Sequence, residues 1–366
     1  MDRSYRPFID WLKCLGMMLI LYGHLAGWAP LAALGPIYSK QLGVAFFLFA
    51  TAYSLARETR DRWAVAFNRL FDVYLFGIAV AVCVSAVSLA TGGRPQLSNY
   101  YPFIGGVNVV LNFFPANPTS WYLGTYVHVI ALWALFAPRL RVSTAVLLLA
   151  VPLEIVVRAV LMEAAGRFIA YMVVANWATV LVLGYWFGQR ERSAVPDEGP
   201  GRRWSSIAWV AVALVAAIAG WSLVSRNVPI EHTFPFMRLP AVGVGIGALL
   251  VSTMVTTLYV SATLLVFRVF ERVPAPAVVT FVSRNTLLIF LVHMPLFRAI
   301  EPVVTEWTQS QALRSVTYMA VCLPGLALFS EAVRQVVRPR ELRARLYARL
   351  PGGGLDRAEV PLVQRH

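Results

Sequence analysis

Charge is scarce in this chain: Asp, Glu, Lys and Arg together make up 14% of its 366 residues. A water-soluble globule of that length carries about a quarter, so the composition excludes one. Lysine is rarer still, with Lys13 and Lys40 the only two among 32 basic residues. Cysteine is limited to Cys14, Cys83 and Cys322, each inside an apolar run. They read as small buried hydrophobes, with neither a disulfide framework nor metal-ligand spacing. No GxSxG elbow, P-loop, CxxC pair or HExxH helix occurs, so the chemistries those motifs carry have no support. A cleavable signal is also missing, because the first apolar run is too long and is interrupted by polar residues. The net charge of +14 does not indicate nucleic acid, since the basic residues fall in short blocks between apolar runs.

What the chain has is hydrophobicity, at 58% of residues and a mean hydropathy of +0.65. An apolar run of about 20 residues spans the hydrocarbon core of a bilayer. By that measure ten spans are expected, over 11–30, 41–57, 70–91, 120–138, 142–163, 168–188, 205–224, 238–266, 277–299 and 312–335. They should be helices, because lipid offers no partner to open backbone groups. The expected fold is therefore an all-α polytopic membrane bundle without inserted soluble domain or internal repeat. If the N-terminus is cytoplasmic, alternate connections place 23 Lys and Arg on the inner side and 7 on the outer, which puts both termini in the cytoplasm. Residues 1–335 form the membrane domain. Residues 336–366 form a basic, partly disordered tail, in which "PRELRARLYARL" is suited to a short amphipathic helix on anionic lipid. Heavy Arg, Ala and Val usage hints at a GC-rich bacterial genome, an inference about codons; the location expected is multi-pass in a bacterial inner membrane. The external connection 92–119 is too broken by Pro and Gly to span. It reads either as a cover along the outer interface or as an aromatic-belt linker.

Ionisable groups inside a spanning helix cost about 2.5–3.5 kcal/mol each on insertion scales, so each needs a reason. They fall in two layers. The inner layer holds Asp10, Lys13, Arg69 and Asp72, with Arg6 just outside and Arg284 slightly deeper. These are either snorkelling anchors or a basic mouth suited to a polyphosphate ligand. At a rise of about 1.5 Å per residue, His24 lies about 20 Å in, Glu154 about 18 Å, and Arg158 and His293 about 24 Å. His128 reaches a similar level from the other side. Glu154 and Arg158, spaced i, i+4, can neutralise each other. His128 reads as a packing residue, and His293 can serve backbone groups freed by Pro295. His24 has no partner within its own helix turn. An imidazole is the side chain best suited to taking a proton from an alcohol near neutral pH, and Glu154 is at the right depth to fix its tautomer.

The head "RPFIDWLKCLGMMLILYGH" resembles the opening of the acyltransferase 3 family of membrane acyltransferases. Three later segments agree in order: "FNRLFDVYL", "WYLGTYVHVIAL" and "SRNTLLIFLVHMPLF". The resemblance covers residues 6–335. It departs at Asp72, where the family commonly has a second basic residue about three after the first, and at Phe290, where a Tyr is common. The resemblance implies transfer of an acyl group, usually acetyl, from cytoplasmic acyl-coenzyme A to a sugar hydroxyl presented from the outer side. On that reading Arg6, Asp10, Lys13, Arg69 and Arg284 hold the donor. His24 is the general base supported by Glu154, and Trp121, Tyr122, Arg158 and His293 orient the acceptor. The donor is a co-substrate; no metal and no permanently bound cofactor is expected. The partners are the donor, a glycan or lipid-linked saccharide, and the bilayer, with no nucleic acid. The rival is a transporter or flippase for a lipid-linked saccharide, using the same charges as a substrate or proton site.

Overall fold

A computed structural model describes residues 6–24, 39–111, 113, 120–137, 140–164, 169–192, 200–227 and 244–347. The end of the first expected span, the start of the eighth and the distal tail lie outside the described residues. Those described are helical, with no strand among them. In chain order the helices are α1 (Pro7–His24), α2 (Ser39–Ala56), α3 (Arg62–Ala90), α4 (Tyr100–Ile104), α5 (Asn108–Leu111), α6 (Trp121–Phe136), α7 (Thr144–Ala164), α8 (Ile169–Met172), α9 (Ala178–Arg192), α10 (Pro200–Asn227), α11 (Val244–Phe270), α12 (Ala277–Trp307), α13 (Gln311–Thr317), α14 (Leu323–Val337) and α15 (Pro339–Tyr347). Six stretches among the described residues are long and apolar enough to cross a membrane, within α3, α7, α10, α11, α12 and α13–α15. The shorter α2 and α6 are also apolar.

Local chemistry sets several of these boundaries. Pro7 opens α1 at the position where a missing N–H costs nothing. Asp61 caps α3 by accepting from the N–H groups of Trp63 and Ala64 at 3.0 and 2.9 Å. That cap starts α3 eight residues before the expected 70, so Arg69 and Asp72 lie well inside the helix. A π-helical turn, Tyr318–Cys322, joins α13 to α14.

Glycines decide how closely the central helices approach. A Cβ on Gly43 would lie 2.3 Å from the Gly16 carbonyl oxygen, so α1 and α2 cross backbone to backbone. On the opposite face of α2, Cβ atoms on Gly184 and Gly188 of α9 would each lie 2.5 Å from the carbonyl oxygens of Phe49 and Tyr53. This is the small-xxx-small packing that substitutes for a hydrophobic drive in lipid. Helix α1 also packs on α11 and α12, α11 on α7 and α10, and α12 on α3 and α14. His24, the last residue of α1, is partly buried at the end of this packing.

The connection over 92–119 is described at 92–111 and 113, and its segment 97–111 packs against α3. Phe103 packs among Val73, Phe76, Leu123 and Leu288 and lies 3.3 Å from where a Gly77 Cβ would be, so the segment folds back about three turns along α3. The span expected over 168–188 is not one helix. It breaks into α8, a 3₁₀ turn at Val174–Trp177, and α9.

Gly43→Ala should force α1 and α2 apart and destabilise the protein by about 1–3 kcal/mol, the range of overpacked cores. Gly245→Ala, where an added Cβ meets nothing within 4 Å, should not. Thermal unfolding of the two purified variants in one detergent tests the contrast, and equal stability would refute it.

Candidate active site

The two central histidines form a pair. His293 Nε2 lies 2.9 Å from His24 Nδ1, and His293 Nδ1 lies 2.7 Å from the Phe290 carbonyl oxygen. A carbonyl can only accept, so Nδ1 of His293 carries its proton. In the neutral ring Nε2 of His293 is then the acceptor, and His24 must donate from Nδ1. That leaves the Nε2 lone pair of His24 as the free base of the pair. His293 is fully buried and His24 partly so. Lys40, on the first turn of α2, is within electrostatic reach of both rings. Lys40 is one of the seven basic residues that the charge count places on the outer side. His128 sits half-buried on α6 and does not join the pair.

A cavity of 420 Å³ opens between the helices that carry this pair, and neither histidine is part of its lining. Its charged end is lined by Lys13, Arg69, Arg284 and Arg334, with Asn68 and Asp72. Its apolar end is lined by Phe47, Tyr122, Tyr126 and Phe290, and by Ile20. Ile20 and Phe290 stand about one helical turn before His24 and His293 on their helices. Tyr122 and Phe290 are 5.2 Å apart, and Phe47 and Tyr122 6.2 Å, measured between ring centroids. Lys13 is in electrostatic range of Asp10 and also of Arg69 and Arg334, so cations outnumber carboxylates in a half-enclosed space. Such an excess is suited to an anion.

Three of the five inner-layer residues expected to hold a donor therefore line the cavity: Lys13, Arg69 and Arg284. Two do not. Arg6 forms an ion pair with Glu191 that ties the start of α1 to α9. Asp10 accepts a hydrogen bond from the Ser283 hydroxyl at 2.5 Å and stands behind the lining. Arg334 was missed; its place near the end of a span made it look like a topology charge. Of the residues expected to orient an acceptor, Tyr122 lines the cavity. Trp121 packs on Tyr171 at 4.4 Å, and His293 is the partner of His24 instead.

Glu154 and Arg158 are placed differently from expectation. Both are fully buried and pair with each other, away from His24 and outside the cavity lining. Glu154 Oε2 accepts from the Thr179 N–H at 2.6 Å, at the start of α9. Arg158 donates to the Asn176 carbonyl, to Thr256 Oγ1 and, at 2.9 Å, to the Tyr259 hydroxyl. The Met172 carbonyl accepts from Thr125 Oγ1 at 2.6 Å, and that of Tyr171 from Trp177 Nε1 at 2.9 Å. These are the groups released where the 168–188 span breaks. An interrupted helix at membrane depth is tolerated only when such groups find partners, and this ion pair supplies two of them. The carboxylate expected to orient His24 is thus committed to the break, and a histidine does the orienting.

A family profile described as an acyltransferase domain matches residues 6–331, nearly the whole chain. The chain belongs to the acyltransferase 3 family. With its apolar spanning helices it is a membrane acyltransferase. No curated protein and no solved structure matches it. In this acyltransferase the His24 pair and the cationic cavity come from α1, α2, α3, α6, α12 and α14. Glu154 and Arg158 belong to the frame on the other side of α1 and α2.

Removing one member of the buried pair leaves the other uncompensated, which costs about 3–5 kcal/mol. Glu154→Gln and Arg158→Met should therefore lower the yield of monodisperse protein in size-exclusion chromatography. The fraction that folds should keep its transfer rate. A well-folded Glu154→Gln protein with a collapsed rate would return Glu154 to the catalytic group.

Proposed function

We propose that this protein is an O-acyltransferase of a bacterial inner membrane that moves an acyl group, most simply acetyl, from cytoplasmic acyl-coenzyme A to a hydroxyl of a glycan or lipid-linked saccharide on the outer side. In this reading ten helices cross the bilayer and both termini face the cytoplasm, as the distribution of basic residues supports. The observation that carries the reading is the polarity of the cavity, with cations in excess at one end and, at the other, an aromatic throat about one helical turn from a histidine pair. A nucleotide's phosphates match Lys13, Arg69, Arg284 and Arg334. The slender pantetheine arm matches the throat of Phe47, Tyr122, Tyr126 and Phe290, which delivers the thioester to His24.

His24 Nε2 takes the proton from the acceptor hydroxyl as its oxygen attacks the thioester carbonyl. The tetrahedral intermediate collapses with cleavage of the C–S bond, and the departing sulfur takes the proton back from Nε2–H. The products are the sugar ester and free coenzyme A. His293 holds the His24 tautomer, through a chain of two hydrogen bonds ending on the Phe290 carbonyl. Its role is positioning, and it needs no contact with substrate. A saccharide flippase would have no use for a cavity that saturates with coenzyme A, so binding of that molecule discriminates the two functions.

His24→Ala should fold, insert and show no transfer, read by mass spectrometry of cell-surface glycans from cells carrying each variant. His293→Ala should slow transfer by about a hundredfold, within the range of acid–base contributions. His293→Gln, whose amide oxygen can accept from His24 Nδ1–H, should recover part of the loss. Acylation surviving in His24→Ala would remove the base from this mechanism.

A further inference from the structure

Helix α15 lies beyond the matched acyltransferase region, which ends at residue 331. It nevertheless closes onto the charged end of the cavity. Arg343 donates to the Asn68 carbonyl at 3.1 Å and pairs with Asp72 at 3.5 Å, and both Asn68 and Asp72 line that end. The carboxylate that departs from the family pattern is therefore the dock for this helix.

Beside the dock is a second cavity of 300 Å³, walled by Arg284, Arg334, Arg338, Arg340, Glu331 and Glu341. Arg284 and Arg334 are shared with the first cavity. Both carboxylates already have partners. Glu331 is paired with Arg284 at 3.1 Å and accepts from Asn285 at 3.0 Å, and Glu341 is paired with Arg338 at 3.6 Å. Arg334 donates to the Arg284 carbonyl, and Arg340 has no hydrogen bond or ion pair among the described residues. Two more arginines than carboxylates thus face the space, with Asp72 at its border within electrostatic reach of Arg334 and Arg340.

We propose that this second cavity is a binding site for a phosphate monoester, completed by α15, and that it takes the ribose 3′-phosphate of the donor nucleotide. The inference rests on the coenzyme A reading above. The reasoning is one of sequence along the ligand: the arm that enters the aromatic throat leaves from the pyrophosphate. The pyrophosphate therefore belongs with Lys13 and Arg69 in the first cavity. The remaining phosphate, on the far side of the ribose, falls into the adjoining cationic space across the Arg284–Arg334 wall. A dianion between arginines makes several charge-assisted hydrogen bonds.

The test compares coenzyme A with 3′-dephospho-coenzyme A, by calorimetry on the full chain in phosphatidylcholine nanodiscs with and without phosphatidylglycerol. Wild type should bind the dephospho form about tenfold more weakly, the effect of one lost charged hydrogen bond. Arg340→Ala, an exposed change that leaves the bundle intact, should weaken coenzyme A by a similar factor without further weakening the dephospho form. Arg343→Ala should do the same by releasing α15 from Asp72. Equal wild-type affinity for the two ligands, or equal weakening of both by Arg340→Ala, would overturn the inference and leave the donor reading standing. If phosphatidylglycerol erases the difference between the ligands, the cavity serves a lipid headgroup and the inference is likewise overturned. If wild type binds neither nucleotide, the donor reading fails and this site falls with it.

Discussion

In hydrocarbon, a backbone or side-chain polar group has only the protein itself to bond with, and each one left alone costs several kcal/mol. The break between α8 and α9 brings that constraint to its sharpest point. Carbonyls of Tyr171, Met172 and Asn176 and the N–H of Thr179 are released from helix bonding, and each is met by a side chain. Glu154 and Arg158 meet two of these groups while neutralising one another. The pair therefore acts as a cap built from opposite charges, joining α7, α9 and α11. Helix α9 is fixed by it, and α9 in turn holds α2 through Gly184 and Gly188. Helix α2 positions α1 through Gly43, and α1 carries His24.

The same constraint separates charges that build the fold from charges that await a ligand. Arg158 has donors spent on a carboxylate, a carbonyl and hydroxyl groups. Lys13, Arg69 and Arg334 instead line a shared space in which cations outnumber carboxylates, with Arg334 spending one donor on the Arg284 carbonyl. Like charges brought together in a half-enclosed cavity raise the energy of the empty protein, and an anion relieves it. A preformed site of that kind lets part of the binding energy of a distant phosphate be used to hold a reacting thioester in place.

Much of this was legible in the sequence, and the limits have a physical shape. Run length placed the helices, and counting residues from helix ends put His24 and His293 at one level, where they do meet. Depth, however, says nothing about which way round the bundle a side chain points. Glu154 shared the level of His24 but lies in another seam of the helices, and Arg6, just outside the inner layer, turns to Glu191. The break near Met172 was hidden because "IAYMVVANWATV" contains neither Pro nor Gly. It is stabilised by residues on other helices, which no local pattern reports. The role of Arg334 depends on α14 lying beside α12, a tertiary fact.

The aromatic collar formed by Phe47, Tyr122, Tyr126 and Phe290 also has an electrical meaning. A ring of bulky, weakly polar side chains dewets, and a dewetted constriction stops ion flow. Moving one elementary charge down a membrane potential of 100 mV releases about 2.3 kcal/mol, so even a slow leak would drain a cell's energy supply. In the proposed reading the collar, at the apolar end of the cavity, is the constriction that keeps the charged end from becoming a conducting path.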